Sequence, residues 1–141
     1  MQERHRDRNQ YFYEQEYTTK KYVIPFISNF LSISNNTDVL EIGCGEGGNL
    51  KPFLDLGCKC TGLDLSKHKI ELGKNTFKHH PENNNLKLIV ENIYEVNETD
   101  FQFDLIVLRD VIEHIPNQEK LMEHIKKFLK PNGKVFIAFP P

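Results

Sequence analysis

Val39-Leu40-Glu41-Ile42-Gly43-Cys44-Gly45-Glu46-Gly47-Gly48-Asn49-Leu50 reads as a short apolar strand that runs into a glycine-rich turn and then a helix. Val39, Leu40 and Ile42 have the aliphatic, partly β-branched character of a buried parallel strand. A turn this rich in glycine lets backbone approach a ligand where a Cβ would collide. The stretch therefore predicts a nucleotide-like ligand at the end of the first strand of an α/β sheet.

Gly43-x-Gly45-x-x-Gly48 also satisfies the dinucleotide fingerprint. In such folds the pyrophosphate sits on the helix N-terminus, and Glu46 would put a carboxylate into that anion site. Glu41 sits inside the strand, where a carboxylate is costly without a partner. A cationic ligand or amides held by the loop would supply one. The turn thus favours a cofactor without phosphates, with a dinucleotide-dependent oxidoreductase as the alternative.

Glu41-x-Gly43-x-Gly45-x-Gly47 resembles the first signature of class I S-adenosylmethionine-dependent methyltransferases. The resemblance implies that Glu41, Gly43, Cys44 and Gly45 belong to the cofactor site, and it runs from Val39 to the last residue. It also implies a doubly wound, Rossmann-like parallel sheet of order 3-2-1-4-5 with helices on both faces, the cofactor lying across the carboxyl ends of strands 1, 2 and 4.

The chain of 141 residues suits one domain with a single core. A formal net charge of −2 gives no global basic footprint of the kind nucleic-acid binders show. There is no apolar run of the ~18–20 residues a membrane span needs and no signal peptide pattern, so the cytoplasm is the expected compartment. Cys44, Cys58 and Cys60 make an odd count without metal-type spacing and read as small core residues.

Along the chain, Met1 to Gln10 reads as a polar, frayed tail, and residues 11–141 as the domain. N-terminal helices occupy 11–33: one from Tyr11 to Lys21, carrying Tyr11, Phe12, Tyr13 and Tyr17, and a second from Tyr22 with Pro25 in its first turn. Val23, Phe26, Ile27, Phe30 and Leu31 define a buried stripe in the second. The aromatics of the first are either core or a lid over the cofactor. The core spans 38–141: after the first strand, a short helix at Asn49 to Leu56, a strand from Cys58 to Leu63, a helix from Ser66 to about Phe77, and strands at Leu86 to Val90, Phe103 to Leu108 and Val135 to Phe139. His79 and His80 read as a solvated turn. Asn117 caps a helix with Leu121, Ile125, Phe128 and Leu129 inward and Lys126, Lys127 and Lys130 at its solvated end.

Asp64 follows Gly43 by 21 residues, near the spacing of about 20 at which nucleotide folds hold ribose hydroxyls; capping of the next helix is the alternative. With Asp64 on the ribose, Leu63 and Leu65 would flank the adenine. The resemblance also makes Asn92 an acceptor for the adenine amino group, replacing the usual acid, and gives the next backbone amide, at Ile93, to the ring. Arg109-Asp110-Val111-Ile112-Glu113-His114 resembles the family's segment behind the fourth strand, which meets the methionine part of the cofactor.

Asp110, Glu113 and His114 stand at i, i+3 and i+4, so a helical turn would gather them on one face. They would then act as a general base, with His114 or Asp110 in that role, or bind an oxygen-preferring divalent ion such as Mg2+. Acids early in a helix and a packed histidine are the structural alternative. A similar acid-x-x-Glu-His cluster occurs in small-molecule O-methyltransferases of quinone biosynthesis, so the expected reaction is methyl transfer to a small-molecule acceptor. A cofactor-binding domain without turnover is the further alternative. The resembled fold continues beyond its fifth strand with a helix and an antiparallel strand pair. The reading therefore expects a C-terminally incomplete domain, weak or dead in catalysis, whose exposed edge strand pairs two copies.

Overall fold

Five mostly apolar runs separated by amphipathic segments need cover on both faces, which crossovers of strand, helix and parallel strand supply. The computed structural model describes residues 7–97 and 102–139. Its strands are β1 (Asp38–Ile42), β2 (Lys59–Asp64), β3 (Leu86–Val90), β4 (Phe103–Arg109) and β5 (Leu129–Ala138), all parallel in one sheet of order β3-β2-β1-β4-β5. Helices α1 (Arg8–Thr18), α2 (Ile24–Ile27), α3 (Lys51–Asp55), α4 (Lys67–Phe77) and α5 (Gln118–Ile125) complete it. The expected fold and strand order hold.

The two-residue period of the strands sorts the core into two layers. Val39, Cys60, Leu105 and Val107 face Val23, Ile27, Phe53, Leu54, Ile70 and Phe77 on one side. Leu40, Ile42, Leu63, Ile106 and Leu108 face Leu121, Ile125 and Phe128 on the other. Glu41 has the parity of Val39, which turns its carboxyl toward the layer that holds the N-terminal helices.

Five expectations need correction. The helix begins at Arg8 because the Asp7 carboxylate caps it, accepting from Gln10 N at 3.0 Å; residues 1–6 lie outside the described residues, as do Pro140 and Pro141. The two N-terminal helices form one continuous run, α1 and α2 joined by a π turn at Thr19–Val23. That wide turn lies where, in a regular α-helix, the ring of Pro25 would meet the carbonyl of Lys21. His80 is not a solvated residue: Nδ1 accepts from Glu82 N at 3.0 Å, so Nε2–H donates to Asp55 Oδ1 at 2.7 Å. Lys130 is drawn from the helix end to the carboxylates of Asp38 and Asp104, which closes the amino ends of β1 and β4. In β5 the pairing jumps from Leu129 to Lys134, and Pro131, Asn132 and Gly133 form an irregularity with Asn132 at φ 69°.

Candidate functional site

β1 delivers the chain to its carboxyl edge, where it must turn without closing the space above the sheet. Gly43 (φ 75°) and Gly45 (φ 56°) take left-handed conformations that cost L side chains energy. A Cβ on Gly43 would lie 2.6 Å from Val111 Cγ2, whereas one on Gly45 would meet nothing within 4 Å. Gly43 is thus a packing requirement and Gly45 leaves open space. That space is a cleft of about 540 Å3 across the carboxyl ends of β1, β2 and β4, of the size small-molecule and cofactor sites have. Gly43, Cys44, Gly45, Glu46 and Asn49 line it from the turn, Asp64, His68, Lys69 and Leu72 from β2 and α4, and Arg109, Asp110, Val111, Glu113 and His114 from behind β4. Arg8, Tyr11, Phe12 and Gln15 of α1 close one wall.

Asp64 ties two sides of the cleft together. Its Oδ2 accepts from Gly45 N and its Oδ1 from Ser66 N, both at 2.8 Å. Ser66, not Asp64, caps α4 through Oγ, which accepts from Lys69 N. Each carboxylate oxygen retains a lone pair for a ligand hydroxyl.

Behind the turn, Glu41 is buried to 1 % exposure. Its Oε2 accepts from Asn49 Nδ2 at 2.9 Å, and Asn49 Oδ1 accepts from Arg109 Nη1 at 2.8 Å and from the Thr19 hydroxyl at 3.2 Å. Arg109 Nη1 also donates to Thr19 Oγ1 at 2.8 Å. Among the described residues Glu41 Oε1 and Arg109 Nε are buried without a hydrogen-bond partner, a costly state in a folded protein. Burial pushes the Glu41 carboxyl up from 4.5 to about 8, outweighing the opposing pull of the Asn49 hydrogen bond and the Arg109 charge. The Cys44 thiol is also driven far above its usual range by burial, with the carboxyls of Glu41 and Asp64 adding to the rise, which disfavours its thiolate form.

The structure therefore brings Gly43, Cys44, Gly45, Asp64, Arg109, Asp110, Glu113 and His114 to one cleft, with Glu41 behind it. Leu65, Asn92 and Ile93 do not line it: Leu65 is exposed, Asn92 Oδ1 accepts from Tyr94 N as the cap of a short turn, and Ile93 is buried in the second core layer. The expected helical face for Asp110, Glu113 and His114 does not form. Asp110 has φ 57°, its amide donates to Ala138 O at 2.8 Å, and only a 3-10 turn follows at Ile112–His114. Among the described residues no group of three His, Cys, Asp or Glu is arranged to hold a metal ion. His114 is exposed, with Nε2 3.4 Å from Glu113 Oε1. Sequence reasoning missed Asn49 and Thr19. The signal for Asn49 was present, because a carboxylate inside a strand demands a donor nearby.

A parallel sheet of order 3-2-1-4-5 with a ligand cleft at its carboxyl edge, opened by a glycine turn and a carboxylate at the end of β2, defines a Rossmann-like cofactor-binding enzyme domain. Residues 13–140 match the family model described as "Methyltransferase domain", and the chain belongs to that family, with the class I S-adenosylmethionine-dependent architecture. It is 31% identical over 111 residues to a sterol 4-C-methyltransferase of Caenorhabditis elegans, covering 79% of this chain and 33% of that protein. It is 34% identical over 104 residues to a ubiquinone biosynthesis O-methyltransferase of Pelagibacter ubique, covering 73% and 42%. The solved structure of PKMT2 from Rickettsia typhi in complex with AdoHcy superimposes with a TM-score of 0.71 at 32% identity, covering 84% of this chain and 25% of that one. The chain thus spans well under half the length of these relatives.

Proposed function

We propose that the cleft binds S-adenosylmethionine and that the domain transfers its methyl group to a small-molecule acceptor. The observation that carries this reading is the pairing, in one cleft, of the Asp64 carboxylate with Arg109, whose buried Nε has no hydrogen-bond partner among the described residues. A ligand with a diol at one end and an amino-acid group at the other satisfies both. Glu46 lines the same cleft and disfavours a pyrophosphate. The sulfonium supplies a methyl group already activated toward in-line displacement by the acceptor. The residues of the chain therefore mainly hold donor and acceptor in line, and orientation alone is worth up to about 7–11 kcal/mol. Asp64 fixes the ribose, Arg109 the amino-acid end, and Gly45 leaves room between them.

Where the acceptor is a hydroxyl or an amine, its proton passes to a base at the cleft mouth. His114 and Asp110, which line the cleft behind β4, are the candidates for that base, and such a base adds about 10²–10⁴ in rate. Relatives named as a sterol 4-C-methyltransferase and a ubiquinone biosynthesis O-methyltransferase support a small-molecule acceptor. Three buried free cysteines support a reducing compartment such as the cytoplasm, and no described helix is long and apolar enough to cross a membrane.

Isothermal titration with S-adenosylmethionine, S-adenosylhomocysteine and NAD tests the reading. The two sulfur compounds bind, NAD does not, and Asp64→Ala weakens binding at least about tenfold, or ~1.4 kcal/mol, through loss of charge-assisted hydrogen bonds. Binding of NAD, or an unchanged affinity in a folded Asp64→Ala chain, refutes it. Methyl transfer to a panel of hydroxyl and amine acceptors, repeated with His114→Ala, then decides whether His114 takes the proton.

A further inference from the structure

Thr19 with Asn49 and Arg109 forms a buried polar node between the N-terminal helical run and the cleft wall, and the partly exposed Lys51–Glu16 ion pair at 2.8 Å ties the same run to α3. Thr19 is 1 % exposed and stands at the first position of the π turn, where its carbonyl accepts from Ile24 N, five residues on. Its hydroxyl is used twice: it donates to Asn49 Oδ1 and accepts from Arg109 Nη1. Asn49 is fixed in turn, since its amide nitrogen is taken by Glu41. Two residues of this triangle line the cleft, Asn49 from the glycine turn and Arg109 from β4, and α1 lines it through Arg8, Tyr11, Phe12 and Gln15. Gly48 leaves no room for slippage between helix and turn: a Cβ there would lie 2.5 Å from Gln15 Oε1 and 2.9 Å from Phe12 O.

π turns occur where a helix must aim one residue at a site while its other turns stay packed. Here Phe12, Thr19, Val23 and Ile27 face the core or the node, and the extra residue is accommodated on the outer side among exposed Tyr17, Tyr22 and Phe26. We propose that Thr19 is a positioning residue: its hydroxyl, presented by the π turn, locks α1 against the cleft and holds the Arg109 guanidinium in the orientation that receives the ligand, so that seating of the helix and ordering of the binding site are one event. Orienting Arg109 toward a cofactor rests on the proposed S-adenosylmethionine reading; the seating of α1 does not.

Thr19→Val keeps the shape and removes the hydroxyl, whereas Thr19→Ser keeps the hydroxyl. Two readouts follow for the full chain. In hydrogen exchange without ligand, amides of 8–18 exchange at least tenfold faster in Thr19→Val than in wild type, while Thr19→Ser matches wild type and the β1 and β4 amides are unchanged in both. In titration with S-adenosylhomocysteine, Thr19→Val weakens binding about tenfold and Thr19→Ser restores it. Unchanged exchange in a folded Thr19→Val chain overturns the lock. Faster exchange with unchanged affinity overturns its link to Arg109. Absence of binding by the wild type with the exchange effect intact removes the cofactor reading and with it the role toward the ligand, and leaves the seating of α1 established. Loss of exchange protection across β1 and β4 as well shows a merely structural residue and overturns the proposal.

Discussion

The buried Glu41 carboxyl gives the stability of the chain a pH dependence of its own. Below pH 4.5 the carboxyl is protonated folded or unfolded and contributes no difference. Between 4.5 and about 8 the unfolded chain ionises while the folded chain keeps its proton, so stability falls as pH rises, by ~1.4 kcal/mol per unit at most, and levels off above the folded value. Glu41→Gln retains an acceptor for Asn49 and abolishes the titration, so its melting temperature is expected to vary less between pH 5 and 8 than that of wild type. Parallel curves in differential scanning calorimetry would show that another group sets the slope.

The glycines separate in the same way. Gly43→Ala meets Val111 as well as a left-handed φ and is expected to destabilise the fold by more than ~2 kcal/mol, whereas Gly45→Ala carries only the conformational cost of ~1–2 kcal/mol and acts mainly on ligand affinity. Urea unfolding combined with titration distinguishes them, and equal stability losses would contradict the geometry.

At the scale of elements, period and capping were sufficient wherever one helix or strand explains its own pattern. Leu86 to Val90 is the third strand residue for residue, and Asn117 caps α5, accepting from Lys120 N at 3.0 Å. What could not be read was set by partners distant in the chain. Pro25 suggests a helix start, but packing of Val23 and Ile27 against the sheet keeps the helix continuous and displaces the strain into a π turn. Asp110, Glu113 and His114 have helical spacing, yet the bond from Asp110 N to Ala138 O on β5 holds that residue outside the helical region. Of the site, the glycine turn, Asp64 and the segment behind β4 were legible because their roles are local. Asn49 was signalled only indirectly, by the need of Glu41, eight residues before it, for a donor, and Thr19 was not legible, because its role is defined by Arg109, 90 residues away. The same contrast orders the energetics of α5: Asn117→Ala is expected to cost about 1 kcal/mol through lost capping, and Ile125→Ala, wholly buried, about 2–5 kcal/mol through the cavity it leaves. Chemical denaturation checks the order, and a larger loss from the cap would show that α5 is held by its end, not its buried face.

At the scale of the molecule, β5 pairs with β4 only among the described residues, which leaves it at the edge of the described sheet. An edge strand exposes a row of unpaired backbone groups and invites a second chain unless it is short, charged, bulged or covered. The first half of β5 has such protection, with exposed Lys134 and the irregularity at Asn132. The second half, Val135 to Ala138, is apolar and regular, and it leads to exposed Phe139. Phe136 meets Phe26 edge-on at 6.0 Å, and Phe26 and Phe30, themselves exposed, extend the apolar surface beside the strand. We therefore propose that the 141-residue chain associates through this half-strand. Light scattering should show a mass that rises with concentration, and Phe139→Lys, which places a charge at the end of the pairing segment without touching the core or the cleft, should shift it toward monomer. A concentration-independent monomer for the wild-type chain, or association indifferent to the lysine, would place the contact elsewhere or show that the lysine and the bulge of the first half are enough to guard the whole edge.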